Sequence, residues 1–298
     1  MCRLFGFRSV IKSQMHRSLV SADNALVRQS EQHPDGWGVA YYQHDVPHLV
    51  KTADTAVADS IFQRVSGVVS SQTVVAHLRK ATCGELSMIN SHPFQHGRWV
   101  FAHNGNVPDF EGYREDVEAL VAPALRSFIL GDTDSEVLFY LLLTNLQKRA
   151  DLSDSDPSME VLTEAARETV DAIRGLTGRD CYEPTDRADD EALYLSFLLT
   201  DGRAMVAHQG GKPLHVSTHK TRCPERDTCS SFAPVCEQPA QSGRVNHLLI
   251  ASEPLNGENV WRPMKPGQIV GVDAEMDLSM VAREGTPAQR ESTLRTAG

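Results

Sequence analysis

The sequence predicts a single α+β domain over about residues 2–280, with strands at both ends and the main helices between them. Strand-like runs dominate the first hundred residues, two helix-like segments lie within residues 133–174, and further strand-like runs follow from residue 193. No internal repeat and no linker-like composition interrupts the chain. Residues 281–298 have little to bury, so we expect a disordered tail there.

Four strand-like runs lie in the first part of the chain. CRLFGFRSV at 2–10 predicts the first strand, and residues 39–42 predict the second, after the turn-rich HPDGWG. TVVAHLR at 73–79 and RWVFAHNG at 98–105 predict two more, each with polar residues at its end. Functional sites are commonly built where strands emerge from a core, so these ends are candidate site positions.

Helices are predicted at four places. Residues 17–31 are polar and helix-compatible, and residues 54–66 carry apolar side chains at helical spacing. TDSE at 133–136 has the spacing of a capping box and precedes VLFYLLLTNL, so a buried helix should begin there. Residues 158–174 have the period of an amphipathic helix.

Strands return in the last part of the chain. Residues 193–217 predict two or three antiparallel strands that turn at 201–202 and at 210–211. VNHLLIAS at 245–252 and QIVGVD at 268–273 predict two more.

Composition excludes several functional classes. The 298 residues are 41% hydrophobic, and 39 acidic against 29 basic residues give a formal charge of −10. Such a charge argues against binding to nucleic acid or to anionic membranes. No stretch approaches the ~20 apolar residues of a membrane span, and the N-terminus lacks the apolar core of a secretory signal. We therefore expect a cytoplasmic protein with a small-molecule ligand.

Neither a metal nor another cofactor is expected. The six cysteines are too sparse and irregular for a disulfide framework. Two sets of residues invite a metal hypothesis: His77, His92 and His103 with Cys83, and His219 with Cys223, Cys229 and Cys236. The spacing of the first set matches no zinc pattern, and the gaps in the second are wider than the usual clip. The chain also lacks the glycine motifs of phosphate and dinucleotide sites.

Cys2 would combine a nucleophile and a base in one residue if Met1 is removed. Removal of an initiator methionine is favoured by a small neighbouring side chain, and it would free the α-amine of Cys2. An α-amine has a pKa of about 7.7–8, so near neutral pH it can accept the thiol proton. The thiolate could then attack an amide carbonyl and form a thioester. A cysteine at position 2 can also be an accident of sequence, and an intact Met1 would block the base.

Six motifs in chain order give this cysteine a context: MCRLFGF, HPDGWG, AHLRKATCG, SHPF, AHNG and GDTDSE. Together they resemble the class II glutamine amidotransferases, whose catalytic domain is an N-terminal-nucleophile (Ntn) hydrolase. LLIASEPL at 248–255 is similar to a feature of the stand-alone members. The resemblance implies a four-layer αββα sandwich of two antiparallel sheets, with the nucleophile at the start of a central strand.

The resemblance implies three substrate-binding residues. Arg79 would pair its planar guanidinium with the α-carboxylate of glutamine, although AHLR alone fits a surface salt bridge equally well. Thr82 would contact the same ligand. Asp134 would accept hydrogen bonds from the substrate ammonium, but an acid in the first turn of a helix needs no ligand to explain it.

Asn104 and Gly105 are the implied oxyanion hole. A side-chain amide and a backbone N–H would stabilise the oxygen that becomes negative when the δ-carbonyl is attacked. Without its neighbours, the dipeptide Asn-Gly would predict a hairpin turn.

Five further residues are implied to support the site. Asp35, Gly36 and Gly38 resemble the glycine-rich turn that lies over the nucleophile, where glycine permits a close approach of backbones. His92 and His103 resemble positions that brace the site through hydrogen bonds.

The sequence as a whole therefore predicts a glutamine-type amidohydrolase. One branch of this hypothesis is a glutaminase subunit that docks on a separate ammonia-accepting synthase. The other is a hydrolase specialised for a γ-glutamyl small molecule, like the stand-alone relatives in ergothioneine formation and glutathione breakdown. A hypothesis of a different class is a catalytically silent binding or regulatory subunit.

Overall fold

Two antiparallel sheets form the centre of the molecule. The computed structural model describes residues 2–14, 19–20, 25–57, 59–81, 83–153, 156–182 and 191–283. Within these ranges the strands are β1 (Arg3–Gln14), β2 (Trp37–Gln43), β3 (Val46–Thr52), β4 (Ser70–Leu78), β5 (Phe94–His96), β6 (Trp99–Asn106), β7 (Tyr194–Thr200), β8 (Met205–His208), β9 (His215–Ser217), β10 (Gly243–Arg244), β11 (His247–Ala251), β12 (Arg262–Pro263), β13 (Ile269–Val272) and β14 (Asp277–Val281). The first sheet has the order β12-β9-β11-β1-β4-β2-β3, and the second has the order β10-β14-β13-β8-β7-β6-β5.

Helices cover the outer faces of the sheets. The α-helices of the described ranges are α1 (Leu26–Gln29), α2 (Ser60–Val68), α3 (Phe110–Leu120), α4 (Pro123–Arg126), α5 (Asp134–Gln147) and α6 (Met159–Thr177). Short 3-10 turns lie at Ser30–Gln32 and Pro234–Cys236. Across these ranges every helix is too short or too polar to span a bilayer.

Three apolar cores separate four layers. Leu4 and Val75 of the first sheet meet Ala102 and Leu198 of the second in the central core. Because strand side chains alternate between faces, the neighbouring Phe5 lies in a different core, which joins the first sheet to α1 and α2. The third core packs α3, α5 and α6 against the second sheet. The predicted αββα sandwich is therefore confirmed.

Most predicted elements form where the sequence indicates. The capping box is the start of α5, where the hydroxyl of Thr133 accepts from the backbone N–H of Glu136 at 3.3 Å. The strand predicted at 2–10 is the middle strand of the first sheet. Of the helix predicted at 17–31, the described part contains a π-helical pair at residues 19–20, then α1 and the turn that follows it.

One predicted turn is wrong. The sequence suggested that the strands on either side of residues 210–211 pair with each other, but β8 pairs with β13 and β9 pairs with β11 and β12. The chain therefore crosses from the second sheet to the first at this point. The turn at 201–202 is confirmed, because β7 and β8 are paired neighbours.

Candidate functional site

Cys2 lies immediately before the middle strand of the first sheet. Strand β4 ends beside it, because Arg3 pairs with Leu78 in the antiparallel ladder. Lys80 lies two residues beyond β4 and contacts the sulfur through its backbone. Its N–H donates to Sγ and its carbonyl accepts from the thiol, both at 3.3 Å.

The surroundings of Cys2 hold its thiol in the protonated form. Burial raises the pKa of the Cys2 thiol, and this effect outweighs the N–H of Lys80 and the nearby charge of Arg79, which both lower it. A thiol with a raised pKa is a weak nucleophile near neutral pH. Chemistry at this sulfur therefore requires a base that takes its proton.

A small cavity adjoins Cys2. Its lining residues come from five segments that are remote in sequence: Cys2, Arg79, Lys80, Ala81, Cys83, His92, His103, Gly105, Thr133, Asp134 and Ser135. The cavity measures about 20 Å³, which is room for about one water molecule. This volume is smaller than that of a glutamine molecule. Thr82 lies outside the described residues.

Arg79 is buried and holds the loop that follows it. One terminal nitrogen of its guanidinium donates to the carbonyl of Glu85 at 3.0 Å. The other donates to the carbonyls of Cys83 and Gly84 at 2.9 and 3.3 Å. Arg79 is only 3% exposed, so it does not form the surface salt bridge that AHLR alone would also fit. The side chain that is predicted to bind a carboxylate therefore holds the loop at residues 83–85.

Asp134 begins α5, and both of its carboxylate oxygens have protein partners. One accepts from the backbone N–H of Val107 at 2.7 Å, and the other accepts from the hydroxyl of Ser135 at 3.0 Å. Asp134 is 4% exposed and lines the cavity. The structural role at the start of the helix is therefore present, and the side chain also lies where a ligand could meet it.

Asn104 and Gly105 lie within β6, paired with Ser196 and Leu195 of β7. They are not the hairpin turn that the dipeptide alone predicts. A Cβ atom on Gly105 would lie 1.9 Å from Nε2 of His103, so only glycine fits. Asn104 shares its face of the strand with Ala102 of the central core, so its side chain points towards the sheet that carries Cys2.

The three histidines of the site are in contact but play different roles. His103 bonds to the hydroxyl of Ser135 at 2.9 Å and to the carbonyl of Tyr194 at 3.0 Å. His77 bonds to the carbonyl of His103 at 3.1 Å. Burial lowers the pKa of both histidines, and His77, whose pKa falls to about 3, is neutral near pH 7.

For His92, the expectation that it braces the site through hydrogen bonds is wrong. Among the residues that the structure describes, neither of its ring nitrogens has a hydrogen-bond partner. Its ring instead packs 4.2 Å from that of His77 and 4.7 Å from that of Phe94. His92 therefore supports the cavity by packing.

The HPDGWG turn braces the segment that contacts Cys2. Asp35 accepts from the N–H of Ala81 at 2.9 Å, and the N–H of Arg79 donates to the carbonyl of Gly36 at 2.8 Å. A Cβ atom on Gly38 would lie 2.1 Å from the carbonyl oxygen of His92, so glycine allows this close approach. The turn contacts residues 79 and 81, and none of its described residues lines the cavity.

One residue of the site was not predicted. Ser252 follows β11 and accepts a hydrogen bond from Nδ2 of Asn104 at 3.0 Å. The sequence LLIASEPL drew attention to this segment, but nothing in it indicated a contact with a residue 148 positions away.

The remaining described cysteines and histidines bear on the metal hypothesis. All six cysteines are free thiols. In the described ranges no group of three or more histidine, cysteine, aspartate or glutamate side chains is arranged to hold a metal ion.

Comparison with known proteins identifies a family for the chain. A family model described as glutamine amidotransferases class-II matches residues 1–176. The yeast protein named probable glutamine amidotransferase DUG3 (Saccharomyces cerevisiae) is 28% identical over 303 residues, which cover 93% of this chain and 83% of that protein. The gamma-glutamyl-hercynylcysteine sulfoxide hydrolase of Mycobacterium tuberculosis is 34% identical over 74 residues, 24% of this chain and 32% of that protein.

A solved structure has the same fold. The glutamine aminotransferase class-II domain protein from Silicibacter pomeroyi superimposes with a TM-score of 0.59 at 20% sequence identity. The match covers 95% of this chain and 99% of that one.

Proposed function

The chain belongs to the class-II glutamine amidotransferases, and from that premise we propose that it is an amidohydrolase with Cys2 as its nucleophile. Its substrate is glutamine or another small molecule with a γ-glutamyl amide. The proposal rests on the cavity that Cys2, Gly105 and Asp134 line together. The cavity thus brings together three groups: the sulfur of Cys2, the backbone of Gly105, where only glycine fits, and the carboxylate of Asp134.

The first half of the proposed reaction forms a thioester. The α-amine of Cys2, freed by removal of Met1, takes the thiol proton, because the raised pKa of this thiol keeps it protonated near neutral pH. The sulfur attacks the δ-carbonyl carbon and forms the C–S bond. The C–N bond of the tetrahedral intermediate then breaks, the proton passes from the α-amine to the leaving nitrogen, and ammonia or an amine departs.

The second half releases glutamate. A water molecule gives a proton to the same α-amine and adds to the thioester carbonyl. The C–S bond breaks, and the sulfur recovers the proton. In both halves Nδ2 of Asn104 and the backbone N–H of Gly105 would stabilise the negative oxygen.

The residues proposed to select the substrate already have protein partners. The guanidinium of Arg79 already donates to three carbonyls of the loop, and both oxygens of Asp134 accept hydrogen bonds. We propose that the loop at residues 83–85 moves away, after which Arg79 binds the substrate carboxylate and Asp134 binds the ammonium. Thr82, beside this loop in sequence, remains a proposed ligand contact.

The leaving group defines a second candidate function. The match to the mycobacterial γ-glutamyl hydrolase favours an amine other than ammonia, since that protein is named for cleavage of a γ-glutamyl conjugate. A hydrolase of γ-glutamyl conjugates would use the same catalytic residues as a glutaminase and would differ from it only in the pocket for the leaving group.

A turnover assay on the isolated protein tests the proposal. Glutamate release is measured with L-glutamine and with a panel of γ-glutamyl peptides, for the wild type, Cys2→Ala and the control Cys229→Ala, which removes another half-buried free thiol. We expect Cys2→Ala to abolish release and Cys229→Ala to retain it. Preference for a peptide would favour the second candidate, whereas release by Cys2→Ala at the wild-type rate would overturn both. No release by the wild type from any substrate would support a silent binding subunit.

A further inference from the structure

Ser252 links the nucleophile strand to the proposed oxyanion hole through a single oxygen atom. Its Oγ accepts from the backbone N–H of Leu4 at 3.0 Å and from Nδ2 of Asn104 at 3.0 Å. The backbone N–H of Ser252 donates to the carbonyl of Leu4 at 2.9 Å. The side chain is buried, at 6% exposure, so these contacts are shielded from competing water.

This contact arises where a strand ends. Phe5 and Ala251 are the last directly opposed residues of the β1–β11 ladder on the Cys2 side. One residue further on, Ser252 supplies its hydroxyl oxygen where a backbone carbonyl would otherwise accept from Leu4. A carbonyl at this point could not also reach the second sheet, whereas the serine side chain extends far enough to meet Asn104.

The next residue holds the same part of the nucleophile strand. Glu253 forms an ion pair with Arg3. Arg3 in turn donates from its guanidinium to the carbonyl of Cys2 at 3.3 Å. Ser252 and Glu253 therefore contact both residues that directly follow Cys2, and only Ser252 of the two also contacts Asn104.

We propose that Ser252 is a positioning residue that fixes the side-chain amide of Asn104 relative to Cys2. The inference rests on the proposed function and adds to it a residue that transmits geometry between the sheets. One of the two hydrogens on Nδ2 is held by Ser252, and the other remains for the oxyanion. Because Leu4 is bonded to the same oxygen, the amide and the nucleophile strand keep a constant separation.

A purely structural role is the competing explanation. In that case the hydroxyl only satisfies the buried N–H of Leu4, and its loss would destabilise the fold without changing the chemistry of the folded fraction. The two explanations differ in what happens to kcat per folded molecule and in how the effect depends on Asn104.

The test compares Ser252→Ala with Ser217→Ala as a matched control. Ser217 is fully buried in β9 of the same sheet, and its hydroxyl donates to the carbonyl of His219 at 3.1 Å, away from the site. With the substrate that the wild type cleaves, we expect Ser252→Ala to lower kcat by about 10- to 100-fold, because small displacements of reacting groups have effects of that size. KM should change little, Ser217→Ala should retain the wild-type kcat, and Ser252→Thr should restore most of the rate.

A double-mutant cycle completes the test. If Ser252 acts through Asn104, then Ser252→Ala should change kcat by less than about threefold in an Asn104→Ala background. Multiplicative effects, or a wild-type kcat in Ser252→Ala, would overturn the inference while leaving the proposed function intact. Absence of turnover in the wild type with every substrate tested would overturn both.

Discussion

The sulfur of Cys2 lies 3.3 Å from the backbone nitrogen of Lys80 and 3.3 Å from its carbonyl oxygen. The N–H can still donate after the thiol loses its proton, whereas the carbonyl oxygen then faces a negative sulfur. Burial also disfavours the thiolate, and it raises the pKa of the Cys2 thiol. The structure therefore keeps the nucleophile protonated until a base acts on it.

Alkylation of Cys2 should show this raised pKa in protein that retains Met1. The rate of modification by iodoacetamide should rise about tenfold per pH unit from pH 7 to pH 9 without levelling off, since only the thiolate reacts. In the urea-unfolded chain the rate should begin to level near pH 8.5, the ordinary thiol value. Peptide mass spectrometry measures both rates. A plateau below pH 8 in the folded protein would contradict this account of the site.

Replacement of Asn104 should affect the chemistry more than the fold. We expect Asn104→Ala to lower kcat by about 100- to 1,000-fold with KM changed less than about threefold, because the amide acts on charge that develops only during attack. Asn106→Ala is the matched control, since Asn106 lies in the same strand and donates to the carbonyl of Ala192. Steady-state kinetics on the folded fraction separates the two variants. Equal losses of kcat in both would argue against an oxyanion role.

Gly105→Ala should destabilise the protein strongly. The added Cβ would lie 1.9 Å from a side-chain nitrogen of His103 and 2.1 Å from the carbonyl oxygen of Tyr194. We expect the free energy of unfolding to fall by about 3 kcal/mol or more. Gly112→Ala in α3 meets nothing within 4 Å and should raise it by about 0.5–1 kcal/mol. Urea denaturation measures both changes, and a neutral Gly105→Ala would contradict the packing described for β6.

The buried histidines should make the fold sensitive to acid. Burial lowers the pKa of His77 and His247 to about 3 and that of His208 to about 4. Unfolded histidines take up protons near pH 6.5, so between pH 6.5 and about 4 the unfolded chain binds more protons than the folded one. The free energy of unfolding should therefore decrease as the pH is lowered from 6.5 to about 4, by up to about 1.4 kcal/mol per pH unit for each histidine.

His247→Leu tests this pH dependence outside the candidate site. Removing one such histidine should reduce the slope of the unfolding free energy against pH by up to about 1.4 kcal/mol per pH unit, which corresponds to one proton. Urea denaturation at pH 7 and at pH 4.5 gives the slope for both proteins. Identical slopes would show that His247 is not held neutral by the fold.

Local sequence signals predicted the parts of the site that depend on neighbouring residues. TDSE marked the start of α5 and thereby the position of Asp134, because a capping box is formed within four residues. Strand-like runs likewise predicted β1, which begins directly after Cys2, and β6, which carries Asn104. The family resemblance supplied the four layers, which no period in the sequence specifies.

Long-range relationships could not be predicted in this way. The bond between Asn104 and Ser252 spans 148 residues and depends on how two sheets stack. The crossing of the chain between sheets near residues 210–211 has the same origin, since partner choice by β8 and β9 is decided by strands much later in the chain. The carbonyl contacts of Arg79 likewise require a loop conformation that its sequence does not reveal.

The most direct test of the central claim is mass spectrometry of the purified protein after treatment with 6-diazo-5-oxo-L-norleucine, a diazoketone that mimics glutamine. The account predicts a mature chain that lacks Met1 and carries one adduct on the sulfur of Cys2. A chain that keeps Met1 yet hydrolyses its substrate, or an adduct on another cysteine in place of Cys2, would contradict it.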